Sequence, residues 1–119
     1  PNNWSWSTTG ISKGSNMTYT QSGTTIIVKP LTAKEWLAFM NRVKEFYTYK
    51  GKTVDSTNWS RSVNGVSSGS EMTATQANGA RYLINQLSPP TSVPASVSSG
   101  TAITAAFING LKNSLNSIP

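Results

Sequence analysis

The sequence contains no cysteine and no histidine, and it has only four acidic residues against ten basic ones. Without cysteine no disulfide can form, which excludes small folds held together by such bonds, and zinc sites made of Cys and His are excluded as well. The usual catalytic triads and dyads, which need His or Cys, cannot be assembled either. No apolar run approaches the ~20 residues that a membrane-spanning helix needs, so we predict no membrane span.

The four carboxylates offer little for catalysis. Glu35 is predicted to cap a helix, Glu45 to be an exposed helical charge, and Asp55 and Glu71 lie in polar loop sequence. A glycosidase would need two facing carboxyl groups, and no glycine-rich phosphate-binding loop is present. The sequence therefore predicts a protein that is not an enzyme, with no catalytic residue, no cofactor and no metal.

The composition predicts one small ordered domain, residues 1–119. Hydrophobic residues make up only 36% of the chain, which is rich in Ser and Thr, but four Trp, four Tyr and three Phe favour an ordered fold over a disordered one. The length by itself fits a single domain.

The chain resembles itself at two offsets. Residues 66–87 match residues 97–118 at an offset of 31, and residues 3–21 match residues 58–76 at an offset of 55. Because the offsets differ, the pattern does not predict a regular solenoid. It predicts duplicated pieces inside one domain.

A repeated triplet, an apolar residue followed by Thr and Ala, is typical of a helix start. Thr32 with Glu35, and Thr73 with Gln76, have the spacing of a capping box, in which each side chain bonds a free backbone N–H of the other residue. The third copy, at Thr104, has neither Glu nor Gln three residues later and lacks the reciprocal partner.

Apolar residues follow each start at helical spacing, so we predict three short capped helices, at about 32–50, 73–87 and 104–118. Gly51 is a natural residue to end the first of them. Within residues 2–30, Trp4 and Trp6 alternate with polar residues, as do Met17 and Tyr19, and residues 24–28 are all β-branched. This pattern predicts a strand-like or hairpin region. The fold class is mainly α with minor β and long Ser/Thr-rich loops.

The four tryptophans divide into two groups. Trp36 lies on the apolar stripe of the first helix and is predicted to be in the core. Trp4, Trp6 and Trp59 lie in polar Ser/Asn surroundings and are candidate contact residues, because exposed aromatic rings can stack on sugars or insert into a partner's surface. The alternative is that Trp4 and Trp59 are equivalent core anchors of the duplicated segment.

The net charge of +6 has two interpretations: it keeps the protein soluble, or it attracts the protein to a polyanion. Four cations gather between Arg42 and Lys52, among aromatic residues on which bases could stack. Arg42, Lys50 and Lys52 are therefore candidate contact residues. No recognised nucleic-acid motif surrounds them, so nucleic acid is not favoured as a partner.

Two stretches carry a resemblance to a known family: residues 31–51, from Leu-Thr-Ala-Lys-Glu-Trp to Tyr-Lys-Gly, and residues 99–109, with Ile-Thr-Ala-Ala-Phe. With the Trp-Ser-Trp at residues 4–6, this order resembles modules in minor structural proteins of the tail region of phages and prophages of Gram-positive bacteria. The sequence departs from the pattern at Leu37, where Asn is expected, and in the separation of Phe107 from Asn109.

The resemblance implies a non-catalytic virion component, in the tail or another part of the particle, that assembles with copies of itself or with other virion proteins. Its location would be the virion, or the host cytoplasm before assembly. Two alternatives stay open: a carbohydrate or cell-wall-binding module that uses exposed tryptophans on a cell-surface glycan, and a basic nucleic-acid-binding protein.

Overall fold

The structure is a computed structural model that describes residues 16–21, 24–67, 72–99 and 103–119. The described helices are α1 (Ala33–Tyr49), α2 (Ser56–Val63), α3 (Ala74–Asn85) and α4 (Ala105–Asn116). Ahead of them, β1 (Asn16–Gln21) pairs antiparallel with β2 (Thr24–Thr32). The protein is thus mainly helical, and none of the described helices is long and apolar enough to cross a membrane.

The three predicted helix starts are confirmed. Thr32, Thr73 and Thr104 are the N-cap residues of α1, α3 and α4, and each side chain accepts a hydrogen bond from the backbone N–H three residues later. At Thr73 the full capping box is formed, because the Thr73 N–H also donates to Oε1 of Gln76 at 3.0 Å. These caps satisfy N–H groups that the first helical turn leaves without a partner.

The predicted end of α1 is also confirmed. Gly51 has a φ of +68°, in the left-handed region where a residue with a Cβ is strained. Its N–H donates to the Thr48 carbonyl at 3.1 Å, and the Lys52 N–H donates to the Tyr47 carbonyl at 2.9 Å. This pair of bonds is a Schellman motif, which stops the helix and turns the chain back.

The prediction of three helices was wrong in one respect, because α2 is a fourth helix in the described part of the chain. Asp55, which was assigned to a solvated loop, is its N-cap and accepts from the Asn58 N–H at 2.9 Å. With eight residues, α2 has only Trp59 and Val63 as large apolar side chains, too few to show a helical period.

The core lies among α1, α3 and α4. The completely buried side chains include Trp36, Phe39, Met40, Val43, Leu83, Leu111 and Leu115. Two hydrogen bonds tie α1 to its neighbours: Trp36 Nε1 donates to the Ser62 carbonyl at 2.9 Å, and the Tyr47 hydroxyl donates to the Leu83 carbonyl at 2.6 Å. The predicted core position of Trp36 is therefore confirmed.

The helices α3 and α4 begin and end at positions related by the same offset as the sequence match. Buried residues also recur at this offset, among them Met72 with Ile103 and Ile84 with Leu115. The single domain and the duplication remain predictions. So does the strand-like or hairpin N-terminal region, which includes residues 1–15 outside the described part, and so do the long Ser/Thr-rich loops.

Candidate binding groove beside Trp59

A groove opens where the second half of α1, the connection at residues 52–55 and the start of α2 meet. We call it the Trp59 groove. Its cavity is about 300 Å³, and it is lined by Lys44, Tyr47, Thr48, Lys52, Thr53, Val54, Ser56 and Trp59. The lining side chains carry two amines, four hydroxyls and an indole.

Two local signals bring these residues together. The Schellman turn at Gly51 reverses the chain at the end of α1, and the Asp55 cap starts α2 shortly afterwards. Besides the Asn58 N–H, Oδ2 of Asp55 accepts from Nδ2 of Asn58 at 2.7 Å. The chain thus returns beside α1 as a helix, and Trp59 comes to lie next to the turn of α1 that carries Lys44.

Trp59 is half-buried and packs against the edge of the core. Nζ of Lys44 lies over its ring, 4.9 Å from the centroid, which is a cation–π contact. An anionic group entering the groove would meet a positive charge already held at the aromatic ring.

A second cavity of about 290 Å³ adjoins the groove and shares Tyr47, Lys52 and Thr53 with it, while Tyr82 and Gln86 close the far side. Nζ of Lys52 donates to the Gln86 carbonyl at 2.7 Å, so its charge lies between the two cavities.

Tyr47 and Asp55 are the two ionisable groups here with displaced pKa values. Burial, with smaller contributions from Tyr82 and Asp55, raises the pKa of Tyr47 to about 12, so its hydroxyl stays a neutral donor. The pKa of Asp55 is lowered, first by the Asn58 N–H, then by the Asn58 side chain and the charge of Arg61. Asp55 therefore stays ionised as a helix cap.

A third concavity, of about 490 Å³, lies on the other side of Tyr82. It is lined by Asn58, Arg61, Thr75, Asn78, Gly79, Arg81, Tyr82 and Ser96. Tyr82 is 44% exposed, so a large aromatic ring stands between two concave surfaces.

The structure brings together only some of the residues predicted to make contacts. Trp59 and Lys52 lie in the same groove. Lys50 is the exposed C-cap of α1. Arg42 forms an ion pair with Glu45 and lies over the Phe46 ring, 5.8 Å from its centroid. Trp4 and Trp6 lie outside the described residues.

Sequence reasoning did not assign Lys44 and Tyr47 to a site with Trp59. No sequence signal relates positions 44 and 59, because their neighbourhood depends on how α2 packs. One signal was available: Asp55 followed by Ser, Thr and Asn is a good helix start. That signal places Trp59 on a helix.

The Trp59 groove presents groups that can bind a polar ligand. Among the described residues no group of three or more Asp and Glu side chains could hold a metal ion. Asp55 is engaged as a cap and Glu45 in an ion pair with Arg42. What the groove offers is an aromatic edge, hydroxyls and two amines, which suit a polar ligand with negative groups.

No family model, no curated protein and no solved structure matches the chain.

Proposed function

We propose that the protein is a non-catalytic structural and assembly module of a phage or prophage particle, which acts through contacts with copies of itself or with other virion proteins. Its place would be the virion, in the tail or elsewhere, and the host cytoplasm before assembly. It needs no cofactor for this role.

One observation carries the proposal: the described motif residues that resemble phage tail modules are used to build the scaffold. Thr32 and Thr104 cap helices, Trp36 is completely buried, Ile103 is 3% exposed, and Gly51 turns the chain. A motif that recurs in enzymes usually presents reactive groups in a cavity. Here the motif residues form helix caps, the core and a turn, which favours a structural role for the protein.

Tyr82 is the surface residue we expect at a protein contact. Exposed tyrosines are enriched at interfaces because they bury a large ring at a small entropic cost. Tyr82 is 44% exposed and lines two concave surfaces, which a protruding side chain of a partner could enter.

The test is the molar mass of the purified chain by light scattering, up to about 1 mM, where an association free energy of about 4 kcal/mol is still visible. We expect self-association that rises with concentration and weakens in Tyr82→Ser. Asn85→Ser, an exposed change on the same helix, is the control. A chain that is strictly monomeric throughout, and that binds no virion protein encoded beside it, contradicts the proposal.

As a second candidate function we propose binding of a cell-wall or cell-surface glycan, which the Trp59 groove favours. Sugars stack on aromatic rings and bond hydroxyls, and anionic wall polymers would also be attracted by Lys44 and Lys52. The half-buried indole, with Lys44 over its ring and Lys52 lining the same groove, supports this candidate.

Titration with cell-wall polysaccharide tests it through tryptophan fluorescence. We expect a shift that disappears in Trp59→Phe and weakens in Lys44→Gln, while Lys34→Gln, an exposed change at the start of α1, leaves it unchanged. No response to any glycan of a broad panel would remove this candidate.

A nucleic-acid-binding protein would instead retard DNA or RNA in a gel in a salt-dependent way. Absence of retardation at low salt would remove that hypothesis.

A further inference from the structure

Residues 88–99 lie between α3 and α4 in the chain, and we call them the strap. The strap contains neither helix nor strand, and it lies against both helices. Val93 and Val97 pack against the core. Pro94 lies so close to Gly110 of α4 that a Cβ at Gly110 would be 3.2 Å from the proline ring.

The helix α3 holds the strap by its main chain. The Asn78 side chain pairs with Val97 in both directions, since Nδ2 donates to the Val97 carbonyl and Oδ1 accepts from the Val97 N–H, each at 2.7 Å. Nε of Arg81 donates to the Pro94 carbonyl at 2.6 Å. These three bonds use only main-chain atoms of the strap.

The end of α4 and its C-cap residue, Ser117, also bind main-chain atoms of the strap. Oγ of Ser114 donates to the Ser92 carbonyl at 2.7 Å, and the Thr91 N–H donates to Oγ of Ser117 at 3.0 Å. The strap is therefore hydrogen-bonded to both helices. We call residue 88, where the strap begins after α3, the joint.

That joint is in a disfavoured conformation. Ser88 has a φ of +52°, the one positive φ of a non-glycine residue in the described ranges. Residues with a Cβ avoid this region, and a residue before proline, here Pro89, prefers extended backbone. Any arrangement that lets Ser88 extend relieves this strain.

We propose that the strap and α4 exchange between two copies of this chain, so that α3 of one copy holds the strap of the other. A second copy offers the same main-chain atoms to Asn78 and Arg81, so every contact across the joint is remade and only Ser88 changes conformation. Hinges under strain favour such exchange, which is an economical route to a dimer. The inference rests on the proposed self-assembly and gives it a route that is separate from the contact at Tyr82.

Cross-linking tests the exchange, since the chain has no native cysteine. Thr75 and Ser96 are both exposed, line the same 490 Å³ concavity and stand on opposite sides of the joint. Thr75→Cys and Ser96→Cys are made as separate proteins, mixed, refolded together at high concentration and treated with a short bismaleimide. The double variant, treated when dilute, is the control that both thiols are within reach inside one chain.

We expect covalent dimers that join position 75 of one chain to position 96 of the other, identified by peptide mass. Light-scattering dimers without this link would mean that copies associate through another surface, which overturns the exchange and leaves the proposed function standing. Monomers alone, with the control cross-linked, also overturn the exchange.

Ser88 provides an independent readout. Glycine adopts a φ of +52° without strain, so Ser88→Gly should stabilise the closed chain and weaken dimerisation about tenfold. Ser88→Ala keeps the Cβ and should dimerise like the wild type. Equal dimerisation of all three proteins would refute the role of the joint, and with it the proposed exchange.

Discussion

Gly79 and Gly110 occupy equivalent positions of α3 and α4, and we predict that alanine at these two positions has different effects. A Cβ at Gly79 would lie 2.7 Å from Oγ of Ser62 and 3.0 Å from the Asn58 carbonyl oxygen, both on α2. For a Cβ at Gly110 the three nearest atoms would all belong to the Pro94 ring, at 3.2 to 3.4 Å. The first neighbour is a packed helix and the second is the strap.

The expected magnitudes follow from three contributions. Alanine in place of glycine inside a helix gains about 1 kcal/mol at either position. At Gly79 the overpacking costs about 2 kcal/mol, and moving the Ser62 hydroxyl off the Asn58 carbonyl, to which it donates at 2.7 Å, costs about 1 kcal/mol more. Gly79→Ala should therefore lose about 2 kcal/mol. At Gly110 a shift of the strap by a few tenths of an ångström offsets the gain, and the net change is within about 0.5 kcal/mol of zero.

Urea unfolding followed by circular dichroism measures both variants, and thermal unfolding should put the Gly79→Ala midpoint about 8 °C below that of Gly110→Ala. Ser62→Ala removes the closest atom, so Gly79→Ala in that background should cost less than the two single changes added together. Equal shifts in the two glycine variants, or a Gly79→Ala protein as stable as the wild type, would refute the close packing of α2 on α3.

Two further changes test the core and the buried hydroxyl. Trp36→Phe removes the hydrogen-bond donor of the Ser62 carbonyl and opens a cavity, so the free energy of unfolding in urea should fall by about 3 kcal/mol. Trp59→Phe, at a half-buried position, should lose only about 1 kcal/mol. Similar losses in the two variants would contradict this packing. The folded-state pKa of Tyr47 is raised from 10.0 to about 12, so its contribution to stability is complete below pH 10 and is lost as the pH rises through about 12. Tyr47→Phe should be less stable than the wild type at neutral pH, because it lacks the bond to the Leu83 carbonyl. Its free energy of unfolding should, however, fall less than that of the wild type over the alkaline range. Parallel pH profiles of the two proteins would count against the buried hydroxyl.

The sequence predicted the starts of α1, α3 and α4 because a capped helix start is a local event. The hydroxyl of Thr73 bonds an N–H only three residues away, and so does that of Thr104. The turn at Gly51 is local as well, since its positive φ suits a residue without a Cβ. Such features depend on a few neighbours along the chain, and those neighbours are visible in the sequence.

The fourth helix and the groove could not be predicted in the same way. The eight residues of α2 are too few to be stable alone, and they are helical because Asp55 caps them and Gly79 lets them pack closely on α3. The pairing of Lys44 with Trp59 follows from that packing. Arg42, which looked like part of one basic patch, lies instead against Glu45 and Phe46.

The sequence by itself determined what this protein lacks, where three of its helices begin, and that Trp36 belongs inside. Composition, capping and apolar spacing suffice for those conclusions because they act within one or two helical turns. Only the tertiary structure decided that Gly79 packs against α2 while the matched Gly110 packs against the strap. It also decided that the Asn78 side chain hydrogen-bonds the main chain of Val97 and that Lys44 lies over the Trp59 ring. These relations join residues that are distant along the chain, and only the packing of helices against one another sets them.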